Sequence, residues 1–312
     1  MKCAPVSLPE THWGVWLHAV RPVAELAELA AAAELLGAAA ILVADEGTDR
    51  DLYVTLTALA LRTRQVLLFG AVTNPHSRHP VASAAAFAAL AELAPGRIVA
   101  GFGAGGTRVL GPLGLAPRRP LSALMECIDV VDELLRGQVV DHAGEFAARG
   151  AALPWSPGPL PIAIASRGPR GESFAAERAD WILLAGRAID TVPALVSRLR
   201  TAGLAARGRA PAIAWNANAA WTPAMIEELR AHFAYMSIDM PPAERALTLD
   251  QHVERYAVTG DRALVVARLA ALCAQVQPEL LVFDADDYSV AFLERAARVA
   301  LDAGVVARGP QG

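Results

Sequence analysis

A (β/α)8 TIM barrel, with insertions before strand 5 and before strand 8, is the fold class that this 312-residue chain predicts. Three observations point there. Eight short apolar runs alternate with alanine- and leucine-rich segments of helical period along the whole chain, and that alternation implies a parallel sheet. Eight is also the strand number that closes such a barrel. Finally, four of the runs end in polar or glycine-rich stretches: ILVADEG at 41–47, AVTNPHSRHP at 71–80, VAGFGAGG at 99–106 and IAIASRGPRG at 162–171. Barrel enzymes carry their active sites at the C-terminal ends of the strands, so these motifs should converge.

Taken in order, the predicted strands are Trp13 to Ala19, Ala39 to Asp45, Val66 to Val72, Arg97 to Gly103, Leu160 to Ser166, Asp180 to Ala185, Ala212 to Ala219 and Glu279 to Asp284. Helical patterns between them include Pro22 to Leu36, Leu52 to Arg62, Val81 to Leu93, Leu121 to Leu135 and Arg262 to Gln275. Two connections are too long for a helix alone. The span from Gly137 to Pro161 holds VVDHAGEF, which reads as a small hairpin, and the span from Trp221 to Gly260 carries helical segments broken by Pro241-Pro242. Excursions of this kind in barrels shape or cover the substrate site. With no internal repeat and no composition shift, one domain over 1–312 is expected.

Composition narrows the class. At 54% hydrophobic residues and a mean hydropathy of +0.34, the chain can bury a large core. No apolar run approaches the roughly 20 residues of a membrane span. The segment MKCAPVSLPE lacks a signal peptide's apolar stretch, and Cys3, Cys127 and Cys273 fall in no metal or redox spacing. A soluble, cytoplasmic protein without a metal site is expected. A net charge of −4 offers no basic face for nucleic acid. Lys2 is the only lysine, so the remaining basic residues are arginines.

The run Gly101-Phe102-Gly103-Ala104-Gly105-Gly106 satisfies the dinucleotide pattern G-x-G-x-x-G. That fingerprint also needs a helix opening at the glycines and an acid at a strand end about 20 residues on. Here TRVLGPLGLAPRRP follows, and Glu126 lies inside a helical pattern. The run is therefore read as a strand end where something flat approaches the backbone, or as a plain tight turn.

The ordered set VADE, GAVTNPHSRHP, AELAPGRIVAGFGAGG and IASRGPRG resembles the bacterial luciferase-like superfamily. Within it, the chain is most similar to the flavin- and deazaflavin-dependent branch that includes methylenetetrahydromethanopterin reductase. The resemblance extends to AVTGDRALVVARLAAL at 257–272. It implies coenzyme F420 as cofactor, with FMN as the alternative. It also implies a non-prolyl cis peptide at Ala71-Val72 behind the cofactor ring, with Gly103, Ala104 and Gly105 on an adjoining wall.

Asp45 matches the family acid that contacts the ring or its side chain; the other reading is a helix N-cap or loop acid. Glu46 stands where many deazaflavin members place histidine, which leaves the usual proton donor in question. Ser166, Arg167, Gly168, Pro169 and Arg170 resemble the family's phosphate-holding turn, and they form a reasonable anion site on physical grounds. Two arginines favour the deazaflavin, which has a phosphate and an acidic tail.

His18 lies two residues beyond Trp16 and on the same strand face, as either an interior histidine or a proton carrier. His79 is either structural or a substrate contact, and His252 and Tyr256, one helical turn apart, are either core or lid. The resemblance thus implies an F420-dependent oxidoreductase, read as an F420H2-dependent reductase. It would pass a hydride to a small-molecule C=C, C=N or C=O, with Glu46 and His18 as proton candidates. A two-component FMNH2-dependent monooxygenase and a non-catalytic flavin-binding relative are the alternatives. A homodimer is expected from the family.

Overall fold

The computed structural model describes residues 10–236, 240, 242–284 and 287–308. Cys3 lies outside them. In chain order the elements begin with β1 (His12–Leu17), α1 (Val23–Leu35), β2 (Ala40–Val43), α2 (Leu52–Arg62), β3 (Leu67–Gly70), α3 (Pro80–Leu93) and β4 (Ile98–Gly103). Next come α4 (Thr107–Leu110), α5 (Pro120–Leu135), β5 (Val140–Ala143), β6 (Ala147–Ala151), β7 (Ile162–Ala165), α6 (Pro169–Arg178), β8 (Trp181–Leu184) and α7 (Val192–Arg207). The last third comprises β9 (Ala212–Asn216), β10 (Ala219–Ala220), α8 (Pro223–Met236), α9 (Pro242–Arg245), α10 (Leu249–Tyr256), β11 (Val258–Thr259), α11 (Arg262–Val276), β12 (Leu280–Asp284) and α12 (Val290–Asp302).

All eight predicted strands form one closed parallel barrel in the order β1, β2, β3, β4, β7, β8, β9, β12 and back to β1. Successive side chains of a strand face opposite ways, and the core divides accordingly. Leu42, Leu67, Phe69, Val99, Trp181, Leu183, Leu280 and Val282 fill the barrel interior, where Phe69 and Trp181 meet edge to face at 5.3 Å. Their neighbours, such as Ile41, Val43, Leu68, Ile164 and Phe283, face outward into the layer shared with the helices. Burial on both faces explains why the strands read as continuous apolar runs.

The first excursion holds the predicted hairpin, β5 against β6, extending to Ala151. The seventh predicted strand is shorter than expected. It ends at Asn216, because Asn218 turns the chain with φ +47° and the side-chain oxygen of Asn216 accepts its N–H. The following residues form β10, which pairs with β11 and clamps the two ends of the second excursion together. Among the described residues, no helix is long and apolar enough to cross a membrane, and no cluster of side chains could hold a metal ion.

Candidate active site

The C-terminal ends of the barrel strands gather most of the predicted residues around one mouth. At β3 the Ala71-Val72 peptide is cis, as expected. Val72 leans across β4 and accounts for its glycines: a Cβ on Gly103 would lie 2.7 Å from Val72 Cγ2, and one on Gly101 only 1.8 Å from the Gly70 carbonyl oxygen. The neighbouring strand end, more directly than a ligand, thus requires these two glycines. Gly105 has φ +79°, and Leu110 sits where its Cβ would be. Ala71 belongs to the interior, with Val72 and Ala165 packed beside it, and Ala185 shares the face of Leu183. That arc of the mouth is therefore lined by small side chains.

Asp45 lies just past β2 and caps no helix; Asp51 caps α2. Its Oδ2 accepts the Thr73 hydroxyl at 2.7 Å, and burial holds its carboxyl above the ordinary aspartate range, with Thr73, a Gly47 N–H and Arg78 opposing the rise.

The turn after β7 delivers Ser166 to Arg170 to the start of α6, with Gly168 at the cap (φ +81°) and Pro169 in the first turn. Gly171 leaves room for Ser166, since a Cβ there would fall 2.0 Å from Ser166 Oγ. Arg167 donates to the Ala185 carbonyl at 3.4 Å, and Arg170 is exposed. Sequence reading missed the residue that braces this turn. Arg187, past the end of β8, donates to the Ser166 carbonyl at 2.7 Å and to Glu172 at 3.0 Å, and Arg198 holds the other Glu172 oxygen. A helix start with free N–H groups, flanked by guanidinium groups, suits a phosphate or an acidic tail.

The opposite arc is acidic. His18 Nδ1 lies 3.8 Å from Glu46 Oε1, and His18 Nε2 lies 4.0 Å from Asp284 Oδ1. Asn216 donates to Asp284 Oδ2 at 2.8 Å. Burial lowers the pKa of His232 of α8, with Asp284 opposing the shift and His18 and Arg108 adding to it. The backbone N–H of His18 donates to the Tyr288 hydroxyl at 3.2 Å. Asp284 and Asn216 were not singled out as site residues by the sequence reading. Asp284 carries the signal that drew notice to Asp45, an acid ending an apolar run.

The other candidates, His79, His252 and Tyr256, occupy capping or buried positions. His79 caps α3 by accepting from Val81 N–H, and its Nε2 lies 3.1 Å from the Ala147 carbonyl. His252 and Tyr256 are buried, with His252 Nε2 at 2.8 Å from the Glu244 carbonyl. His76 lines a cleft of about 580 Å3 between the β3 loop and the β5–β6 hairpin, outside the ring of strand ends. Cys127 and Cys273 are buried, and burial pushes both thiols up.

Comparison with known proteins identifies the family and the fold. The family model for luciferase-like monooxygenases matches residues 6–276. A 5,10-methylenetetrahydromethanopterin reductase of Archaeoglobus fulgidus is 36% identical over 143 residues, 46% of this chain and 43% of the relative, so the chain spans less than half of that protein. An F420-dependent glucose-6-phosphate dehydrogenase of Mycobacterium avium is 29% identical over 279 residues, 78% of this chain and 83% of the relative. Among solved structures, the coenzyme F420-dependent tetrahydromethanopterin reductase of Methanopyrus kandleri superposes with a TM-score of 0.80 at 19% identity. That match covers 93% of this chain and 98% of the other and shows the shared fold.

Proposed function

This chain belongs to the luciferase-like monooxygenase family, and on that premise we propose that it is a coenzyme F420-dependent oxidoreductase acting on a small-molecule C=C, C=N or C=O. One observation carries the choice: an arc of small side chains and an arginine-braced helix start adjoin at the same end of a closed barrel. The small arc leaves room for a flat ring, and the helix start suits a phosphate together with the acidic tail that distinguishes F420 from FMN. The F420-dependent relative aligned over most of its length supports the same cofactor.

When bound, the deazaflavin supplies or takes the hydride at its central ring. The protein's own residues bind and orient. Ala71, Val72, Gly103, Ala104, Gly105 and Ala165 shape the ring wall, and Asp45 stands at its edge. Ser166, Arg167, Gly168, Pro169 and Arg170 receive the phosphate and tail. Positioning the substrate against the bound deazaflavin would be the larger part of the catalysis. His18 and Glu46, on the opposite arc, hold or move the proton that accompanies reduction.

The test is a titration of the purified protein with F420 and with FMN. Saturable binding of F420, at least about tenfold tighter than FMN, is the expected result. Tight FMN binding with no measurable F420 affinity overturns the reading in favour of an FMNH2-dependent monooxygenase, in keeping with the monooxygenase named in the family's description. F420 binding without hydride exchange to any acceptor would instead mark a non-catalytic relative.

A further inference from the structure

We propose that the cleft between the β3 loop and the β5–β6 hairpin is a second ligand site, one that takes an uncharged planar heterocycle bearing a ring N–H donor. It stands apart from the oxidoreductase reading above and holds whichever cofactor the barrel mouth binds.

The cleft has the size and the walls of a small-molecule site. Its volume of about 580 Å3 lies within the roughly 300–1,000 Å3 that such sites enclose. Pro75, Leu115, Pro117 and Phe146 supply its apolar faces. A rigid planar ring suits them, because it loses little freedom on binding.

The hairpin is held so that these walls are preformed. Glu126 of α5 accepts the Glu145 N–H at 2.7 Å and lies 3.0 Å from His142 Nε2. A Cβ on Gly144 would fall 2.3 Å from Glu126 Oε2, so the glycine permits this approach. On the other side, His79 Nε2 lies 3.1 Å from the Ala147 carbonyl. The Phe146 ring is fixed between two imidazoles, His79 and His142, each with its centroid 6.1 Å away.

The side chains that line the cleft accept hydrogen bonds and have no donor to spare. His79 spends its Nε2 proton on Ala147 and its Nδ1 lone pair on the Val81 N–H. In His76 the buried nitrogen is Nε2, with the Ala104 carbonyl as backbone support and no full hydrogen bond. A proton on that nitrogen leaves the Nδ1 lone pair of a neutral ring to the cleft. Burial favours the neutral ring, although Glu145 stands near enough to oppose it. The Glu145 carboxylate pairs with Arg119, whose side chain is 68% exposed, so this is a rim contact that a ligand can share. Two acceptors thus stand near each other beside flat apolar faces, and a ring N–H is their complement.

The experiment titrates indole and benzofuran into the full-length protein and follows the ligand by saturation-transfer NMR. The two rings have nearly the same shape, but benzofuran has an oxygen where indole has its N–H. Indole is expected to bind saturably and on the order of tenfold more tightly than benzofuran. Glu145→Ala and His76→Phe should reduce that preference, whereas Phe146→Ala should weaken both ligands on the order of tenfold.

Benzofuran binding as tightly as indole in the unmodified protein overturns the proposal, whether or not a variant folds. So does an absence of indole saturation by about 10 mM. Indole affinity unchanged in the three folded variants, or displacement of indole by F420 or FMN, places the ligand elsewhere and overturns it too. Failure of both cofactors to bind would sink the cofactor reading alone, since the indole and benzofuran comparison needs neither.

Discussion

Asp45 shows what burial does to a single carboxyl group. Desolvation raises its pKa in the folded state despite the Thr73 hydroxyl, so the group favours folding fully below the ordinary aspartate pKa. That contribution is lost as pH rises through the raised value. Asp45→Asn keeps an oxygen for Thr73 and removes the charge. Its thermal midpoint is expected to exceed that of the unmodified protein at about pH 7.5, with the difference closing towards about pH 3, as scanning calorimetry at the two pH values would show. Asp45 was legible because an acid closing an apolar strand is conspicuous. Asp284 ends a strand in the same way, but its importance depends on His18 and Asn216, which only barrel closure brings beside it.

At the level of elements, the turn into α6 illustrates where sequence reading stops. Ser166 to Arg170 could be read locally, because a strand, a glycine and a proline at a helix start form a contiguous signal. The brace from Arg187 could not, because it sits at the end of the next strand and acts on a backbone carbonyl. Arg187→Met removes that bond and leaves Glu172 with Arg198 alone, a loss of about 1–3 kcal/mol by chemical denaturation. It should also weaken binding of F420 on the order of tenfold while leaving a deazaflavin without phosphate and acidic tail nearly unaffected. Equal losses for the two ligands would show that the turn does not hold the tail. The eight strands were legible because two-sided burial writes them as unbroken apolar runs, whereas their ends depend on turns such as the one at Asn218.

For the whole molecule, the barrel brings together residues from both ends of the chain, since β1 pairs with β12. A ligand that bridges several strand ends therefore reports on global stability. At a free concentration about 100 times its dissociation constant, F420 should add about 2.7 kcal/mol and raise the melting midpoint by roughly 5 °C. An unchanged midpoint under those conditions would contradict cofactor binding at the barrel mouth. The short pairing of β10 with β11 has a different consequence. It ties off the second excursion at its root, while Met225, Leu229, Phe233 and Val253 pack its helices into the outer core. Because loop closure costs only a logarithm of length, changes in the length of that excursion leave the register of the eight strands intact. A changed substrate preference in that excursion would therefore leave untouched the strand ends proposed to hold the cofactor.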